Sequence, residues 1–474
     1  MAENFKKSLN LYDATMMVAG SMIGSGIFIV SSDIARTVGS SGYLLLCWIL
    51  GGVMTMIAAI SYGELAGMYP NVGGQYIYLK KSYNSLVAFL YGWSFFGVIE
   101  SGAIAAVGVA FAKYTAVFFP FFSENNILFQ IGSFHFSGAQ FLGIAMICLL
   151  TYNNIRGVQH GKWIQSIFTS TKLIALLGFI ILGWIFGSDP HIASANFSHM
   201  FSFPNQVQSD GTFLPLMGYG LFAAMGAAMV GSLFSSDAWN NVTFIAGEIK
   251  EPQRNIPLSL FFGTLIVSVL YILTNVVYLN VMTIQEIQTA PMDRVGAAAV
   301  AKMLGDSGTL IMAALIMIST FGCNNGLILS GARLYYTMAK DGLFFKKAGT
   351  LNEQGVPQVA LIAQCVWSCI LCMSGSYGAL LDYTIFAALI FYVLTIAGIF
   401  ILRVKEPNTH RPYKAWGYPI VPILYIISAS AIAIILLIEK SNNTIPGLII
   451  VLMGIPVYYL LKKINKTDIL TEET

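Results

Sequence analysis

Three ionisable residues, Glu100, Lys172 and Asp237, lie inside stretches that are otherwise almost wholly apolar. Such a residue is costly there and points to an ion site, a proton relay or a binding site. Lys172, in Thr171-Lys172-Leu173-Ile174-Ala175-Leu176, is several turns from Lys162 and too deep for its ammonium to reach a polar boundary easily. One reading pairs its ammonium with Glu100 for packing alone. Glu100 is read as a proton carrier or as a neutral, hydrogen-bonded acid. Asp237 offers a carboxylate as well as a carbonyl, which favours a ligand with an additional donor. Lys113, near the end of its run, is expected to snorkel, and Glu64 is expected to be structural.

Two apolar runs are interrupted by small and polar residues. The first contains Ala19-Gly20-Ser21-Met22-Ile23-Gly24-Ser25-Gly26-Ile27-Phe28, and the second runs from Met225-Gly226 through Gly231-Ser232 and Phe234-Ser235-Ser236-Asp237 to Trp239. Glycine weakens a helix by about 1 kcal/mol per site, so both helices are expected to open. Small-residue packing is the alternative. An opened helix exposes two poles. The N–H groups of Ser25, Gly26 and Ile27, at the start of a second half-helix, suit a carboxylate. The carbonyls of Met22 and Ile23, with those of Phe234 and its neighbour Ser235, suit an ammonium. Together they match the two ends of a free α-amino acid, and glycine at 24 and 26 lets backbone approach it without a Cβ.

Cys365, Cys369 and Cys372 share one helical face, but no histidine or acid accompanies them, so they are read as packing residues rather than a metal site. His135, His160, His191, His199 and His410 fall between the apolar runs, and no cofactor is expected. No nucleophile with a base is found within the runs, which argues against an enzyme.

The elements that must position these groups follow from composition. Of 474 residues, 56% are hydrophobic and 10% charged, which excludes an ordinary soluble protein. A net charge of +3 on scattered Lys and Arg gives no nucleic-acid surface. Apolar runs at 11–37, 41–69, 85–119, 138–155, 163–187, 213–248, 256–283, 306–338, 358–376, 379–403, 418–438 and 444–461 predict twelve transmembrane helices. With residues 1–10 inside, nineteen Lys and Arg residues, including Lys6, Lys162 and Lys466, fall on the cytoplasmic side. Only Arg36, Arg294, Lys302 and Lys440 fall outside. Both termini, 1–10 and 462–474, are therefore expected in the cytoplasm. The interruptions are five helices apart, which suggests inverted five-helix repeats at 11–187 and 213–403. An external loop at 188–212 joins them, and helices at 418–461 come after the second repeat.

These residues resemble the amino acid-polyamine-organocation transporters. Gly20-Ser21-Met22-Ile23-Gly24-Ser25-Gly26-Ile27-Phe28 is similar to their first-helix signature. Tyr62-Gly63-Glu64-Leu65 with Pro70, Gly73-Gly74 and Tyr76 resembles the second-helix motif and the segment after that helix. Phe234 through Trp239-Asn240, then Glu248-Ile249-Lys250, Pro252, Arg254-Asn255 and Pro257, resembles the sixth. Phe321-Gly322, Asn325-Gly326 and Arg333 resemble helix 8 of the L-type branch. The resemblance implies an all-α polytopic fold of inverted repeats plus two helices, with alternating access around a central amino acid. It implies a carboxylate on the backbone of Ser25 and Gly26, an amine on carbonyls of Met22, Phe234 and Asp237, and Asn325 at the site. It makes Phe234 an aromatic closing from outside. Phe386 matches an aromatic beside the side-chain pocket, with core packing as its other reading. It also implies that Lys172 places its ammonium where sodium-coupled relatives bind the ion. Glu100 departs from the L-type pattern.

The expected function is sodium-independent exchange of neutral L-amino acids across a plasma membrane, of prokaryotic type. The alternatives are a proton-coupled amino acid or polyamine symporter and, less favoured, a channel or embedded enzyme. Animal L-type transporters carry an external cysteine joined to a glycoprotein partner. Residues 120–137 contain none, so no disulfide-linked heavy chain is expected.

Overall fold

The computed structural model describes residues 7–472 except 133, 158, 202–204, 208–210 and 375–376, and gives the backbone alone for 134, 159–167, 213, 374, 379 and 464–472. Lys6 and the side chains of His160, Lys162 and Lys466 thus lie outside the described residues. The helices are α1 (Leu11–Met22), α2 (Gly26–Val38), α3 (Ser41–Met68), α4 (Gln75–Ser82), α5 (Ser85–Ser94), α6 (Glu100–Thr115), α7 (Gly138–Ile155), α8 (Gln159–Phe186) and α9 (Pro190–Phe197). They continue as α10 (Tyr219–Ser235), α11 (Pro252–Val281), α12 (Ile284–Gln288), α13 (Val295–Lys340), α14 (Gln358–Ser374), α15 (Tyr377–Lys405), α16 (Ile420–Glu439) and α17 (Ser441–Glu472). Two small antiparallel ribbons, β1 (Ile127–Ile131) with β2 (Phe134–Ser137) and β3 (Asn205–Val207) with β4 (Phe213–Pro215), lie in connecting segments.

The chain is an all-α polytopic membrane protein. Among the described residues nine helices are long and apolar enough to cross a bilayer, or ten with α1 and α2 taken as one span bent by 43°. The helices in the sixth and ninth apolar runs are shorter, at Tyr219–Ser235 and Gln358–Met373. A positive φ at Gly305 divides α13, so a short helix precedes the span expected from residue 306.

Two packed groups share this bundle. In one, α3 and α1 lie against α11, and α10 lies against α2. In the other, α6 lies against α13, α7 and α14. Helix α8 touches α1, α11 and α13, so the fifth apolar run bridges the groups at the place where the first helix breaks. Between α5 and α6 the backbone forms a π-helix at Phe95–Ile99, immediately before Glu100. This turn inserts a residue and re-aims the side chains after it.

The first break falls at residues 23–25. The second falls just after Phe234-Ser235, inside the interrupted stretch 225–239. Helix α10 runs unbroken through Gly226 and Gly231, because they are packing positions: a Cβ at Gly226 would lie 2.5 Å from Ile435, and one at Gly231 3.0 Å from Val30. The chain leaves the α-helix at residue 236, passes through Ala238 at φ 62°, and continues in 3-10 turns at Trp239–Thr243 and Ala246–Glu248.

Glu64 is 1% exposed and ties α3 to the end of α15. It accepts bonds from Arg403 at 3.0 and 2.7 Å and from the Ala415 N–H at 2.8 Å, with Arg411 3.3 Å away. Removing one member of a buried ion pair leaves its partners uncompensated. Glu64→Gln is therefore expected to cost about 3 kcal/mol in thermal unfolding of the purified protein. Arg254→Ala, which removes an exposed i,i+3 pair with Glu251, should cost under about 0.5 kcal/mol.

Candidate substrate site at the broken helices

Where α1 stops, five successive carbonyls lose helical partners, and donors from neighbouring helices come within reach of all five. The Lys172 ammonium, on α8 and 3% exposed, donates to Gly20 at 2.9 Å and Ile23 at 3.0 Å. Cys323 on α13 donates its S–H to Ser21 at 3.2 Å. Ser319, one turn earlier, lies 3.3 Å from the Ile23 carbonyl and 3.4 Å from that of Gly24. The Tyr271 hydroxyl on α11 lies 3.0 Å from the Met22 carbonyl and 3.1 Å from that of Ser235. Each unmet backbone group in a membrane interior would cost several kcal/mol, so this shell is what allows the helix to open.

This shell changes the expected ammonium pole. A carbonyl oxygen has two lone pairs; Ile23 accepts from Lys172, and Ser319 has one proton for the Ile23 and Gly24 carbonyls. Tyr271 has one proton for two carbonyls, so either Met22 or Ser235 is left with capacity for another donor. The Phe234 carbonyl accepts from the Asp237 N–H at 3.1 Å and from the amide at the end of α10, and so belongs partly to the helix end.

The other pole is the start of α2. The first N–H groups of a helix have no internal acceptors, and here Ser25 does not cap them. Its hydroxyl is 3.1 Å from that of Tyr377 instead. The N–H groups of Gly26 and Ile27 thus begin a half-helix whose dipole favours an anion. The glycines serve a different purpose from the one expected. A Cβ at Gly26 would collide with Ser235, and one at Gly24 would sit 3.1 Å from Cys323 Sγ. They let the two broken helices and α13 approach one another, and the space is filled by protein.

Phe234 meets Tyr377 edge to face at 6.2 Å, and together with Ser25 they form a layer. Beyond it lies a cavity of about 330 Å³ whose lining includes Val230, Gly231 and Tyr377 with Asp33, Arg36, Lys113, Glu124, Asp293, Asp382 and Lys440. Lys113 does not snorkel. It is buried, its ammonium 3.6 Å from Glu124 and 5.6 Å from the Tyr377 ring centroid.

On the opposite side of the break a cavity of about 10 Å³, one water in size, is lined by Glu100, Asp237, Gln75, Asn240, Asn241 and Tyr392 among others. Asp237 accepts from Tyr392 at 2.5 Å. Glu100 accepts from Ser330 at 3.1 Å and Asn241 at 3.5 Å. Glu100 is thus not Lys172's partner, and neither acid has an ion pair among the described residues.

Two residues expected at the site are engaged elsewhere. Asn325 accepts from Asn154 at 2.8 Å, joining α13 to α7. Phe386 is buried, and a Cβ added at Gly447 of α17 would lie 3.9 Å from its ring. Its helix instead lines the cavities with Tyr377, Ala388 and Tyr392. Sequence reasoning missed Tyr271, Ser319, Tyr377 and Tyr392. The available signal was a buried hydroxyl in an apolar run, which requires a partner.

A bundle of apolar helices with two breaks held open at one level defines a membrane carrier rather than an enzyme. Residues 9–460 match the amino acid permease family, and the chain belongs to it. It is 30% identical over 461 residues to the serine/threonine exchanger SteT of Bacillus subtilis, covering 97% of each chain. It is 28% identical to the Asc-type amino acid transporter 1 of Mus musculus, over 96% of this chain and 81% of that one. The large neutral amino acids transporter small subunit 2 of Homo sapiens is 29% identical, over 96% and 80%. The protein is therefore an amino acid permease, not an enzyme.

Because Ser235 occupies the space a Cβ at Gly26 would need, Gly26→Ala is expected to lower the thermal midpoint of the purified protein. Adding Ser235→Gly should recover part of that loss. No recovery would show that the two helices do not meet there.

Proposed function

We propose that this permease exchanges neutral L-amino acids without sodium, by alternating access across a plasma membrane of prokaryotic type. The observation that carries the reading is the Lys172 ammonium on the Gly20 and Ile23 carbonyls. A tethered cation supplies there the charge that a free sodium ion would otherwise bring. The substrate carboxylate sits on the N–H groups of Ser25, Gly26 and Ile27. Its ammonium takes whichever of the Met22 and Ser235 carbonyls Tyr271 leaves free, with help from Phe234. Binding thus satisfies groups on both broken helices at once. The loaded carrier closes more readily than the empty one, which is the basis of exchange.

In this reading twelve helices cross the membrane, ten of them as inverted five-helix repeats, with both termini cytoplasmic. The charged cavity beyond Phe234 and Tyr377 then faces outward. No disulfide-linked heavy chain is required. The relatives support both parts of the reading, since one is named an exchanger and another a transporter of large neutral amino acids.

One observation favours a second reading. Glu100 and Asp237 line the same small cavity with no cationic partner among the described residues, the arrangement expected if a proton or an additional substrate donor enters there.

Counterflow in proteoliposomes at symmetric pH separates the readings. Internal unlabelled amino acid is expected to accelerate uptake of labelled amino acid, with or without sodium. Uptake that follows an imposed proton gradient and ignores internal amino acid would overturn exchange. A thermal-shift screen of the twenty amino acids should identify stabilising neutral ligands, and Ser25→Leu should abolish the shift. Full affinity in Ser25→Leu would remove the site.

A further inference from the structure

The expected face of Cys365, Cys369 and Cys372 does not hold together as a group. Cys372 turns toward Gly143 and Gln140, whereas Cys148 of α7 joins the other two. Cys148 Sγ is 3.9 Å from Cys369 Sγ and 3.9 Å from Cys365 Sγ, and all three sulfurs lie within 4.8 Å of one another. The thiols are free. Cys365 and Cys369 are one helical turn apart on α14, so the triangle spans two helices and has rigid corners.

The dimensions of this triangle are informative. A metal–thiolate bond of about 2.3 Å places the sulfurs of a planar three-coordinate site about 4.0 Å apart. The Cys148–Cys369 and Cys148–Cys365 edges, both 3.9 Å, have that length. Histidine and carboxylate are absent from the cluster among the described residues, so zinc would lack its usual fourth ligand, and an all-sulfur set selects soft ions. Thr151, one turn along α7 from Cys148, is buried with its hydroxyl beside Cys365.

The surroundings set the charge. Leu149, Ile362, Val366 and Ile370 on the same two helices are exposed apolar residues that face the hydrocarbon, where a net charge is costly. A divalent ion that displaces the protons of two thiols and keeps the third as a neutral donor leaves the site uncharged and releases two protons; a monovalent ion does so by displacing one proton and keeping two neutral thiol donors. We propose that Cys148, Cys365 and Cys369 form a three-sulfur site for a soft d10 metal cation, of the copper(I), cadmium or mercury class, which braces α7 against α14. This site is independent of the broken helices and of the substrate they hold.

The test uses the reduced, full-length protein in lipid nanodiscs, titrated with cadmium and followed by thiolate-to-metal charge-transfer absorption, X-ray absorption and thermal unfolding. One cadmium with three sulfur neighbours is expected, together with a raised thermal midpoint. Cys148→Ser and, independently, Cys365→Ser should weaken binding by about tenfold or more. The double variant Cys47→Ala/Cys372→Ala should bind as the parent does. Cadmium with oxygen neighbours only, no binding, or undiminished binding by both serine variants would overturn the proposal. Amino acid-induced thermal shifts, measured on the same samples, report folding and the substrate site separately.

Discussion

The structure depends on a helix that stops inside the membrane without leaving its backbone unpaired. The carbonyls of residues 20–24 lose their helical donors at the break, in a medium where water cannot replace them. Lys172 resolves two of them with one ammonium, and that ammonium is itself made tolerable by the carbonyls it meets. Charge and break are each unfavourable alone. Together they satisfy one another, and Ser319, Cys323 and Tyr271 complete the shell.

This constraint explains how the two packed groups are related. The break belongs to α1 and α2, which lie with α10 and α11, while Lys172, Ser319 and Cys323 come from α8 and α13. The donors thus reach across from one group to the other at the level where substrate would bind. Tyr271 adds a contact of a different kind, since its single proton is shared between carbonyls on the two broken helices. In the proposed function this shared proton leaves one of the two carbonyls able to accept from a ligand ammonium. Gly24 and Gly26 make the geometry possible by letting Cys323 and Ser235 come close to the backbone.

Much of this was legible in the sequence, and for definable reasons. Apolar runs locate helices because length and hydropathy are the main requirements of a spanning segment. The first break was legible because three glycines and two serines coincide there. The second was legible in the stretch 225–239 and falls just after Phe234-Ser235, whereas Gly226 and Gly231 within that stretch are packing glycines, which a helix tolerates when a neighbour fills the space. Lys172 stood out as a charge in an apolar run, but its partners did not, because Gly20 and Ile23 meet it through backbone atoms that carry no residue-type signal. Phe386 and Asn325 show the opposite case: their residue types suit a site, and only the tertiary structure shows the neighbours they have on α17 and at Asn154. The tyrosines carried a signal, a hydroxyl in an apolar run, but it does not name the acceptor until the fold is known. The cysteine face was read on one helix, and Cys148 comes from another.

The central claim is that the Lys172 ammonium replaces a free cation at the break. The most direct measurement is amino acid affinity, by isothermal calorimetry on the reconstituted protein, as sodium replaces choline at constant ionic strength. The account predicts an affinity independent of sodium in the parent and weakened by about tenfold or more in Lys172→Ala at every sodium concentration below saturation of the vacated position. Affinity that rises with sodium in the parent, or full affinity in Lys172→Ala without sodium, would contradict it.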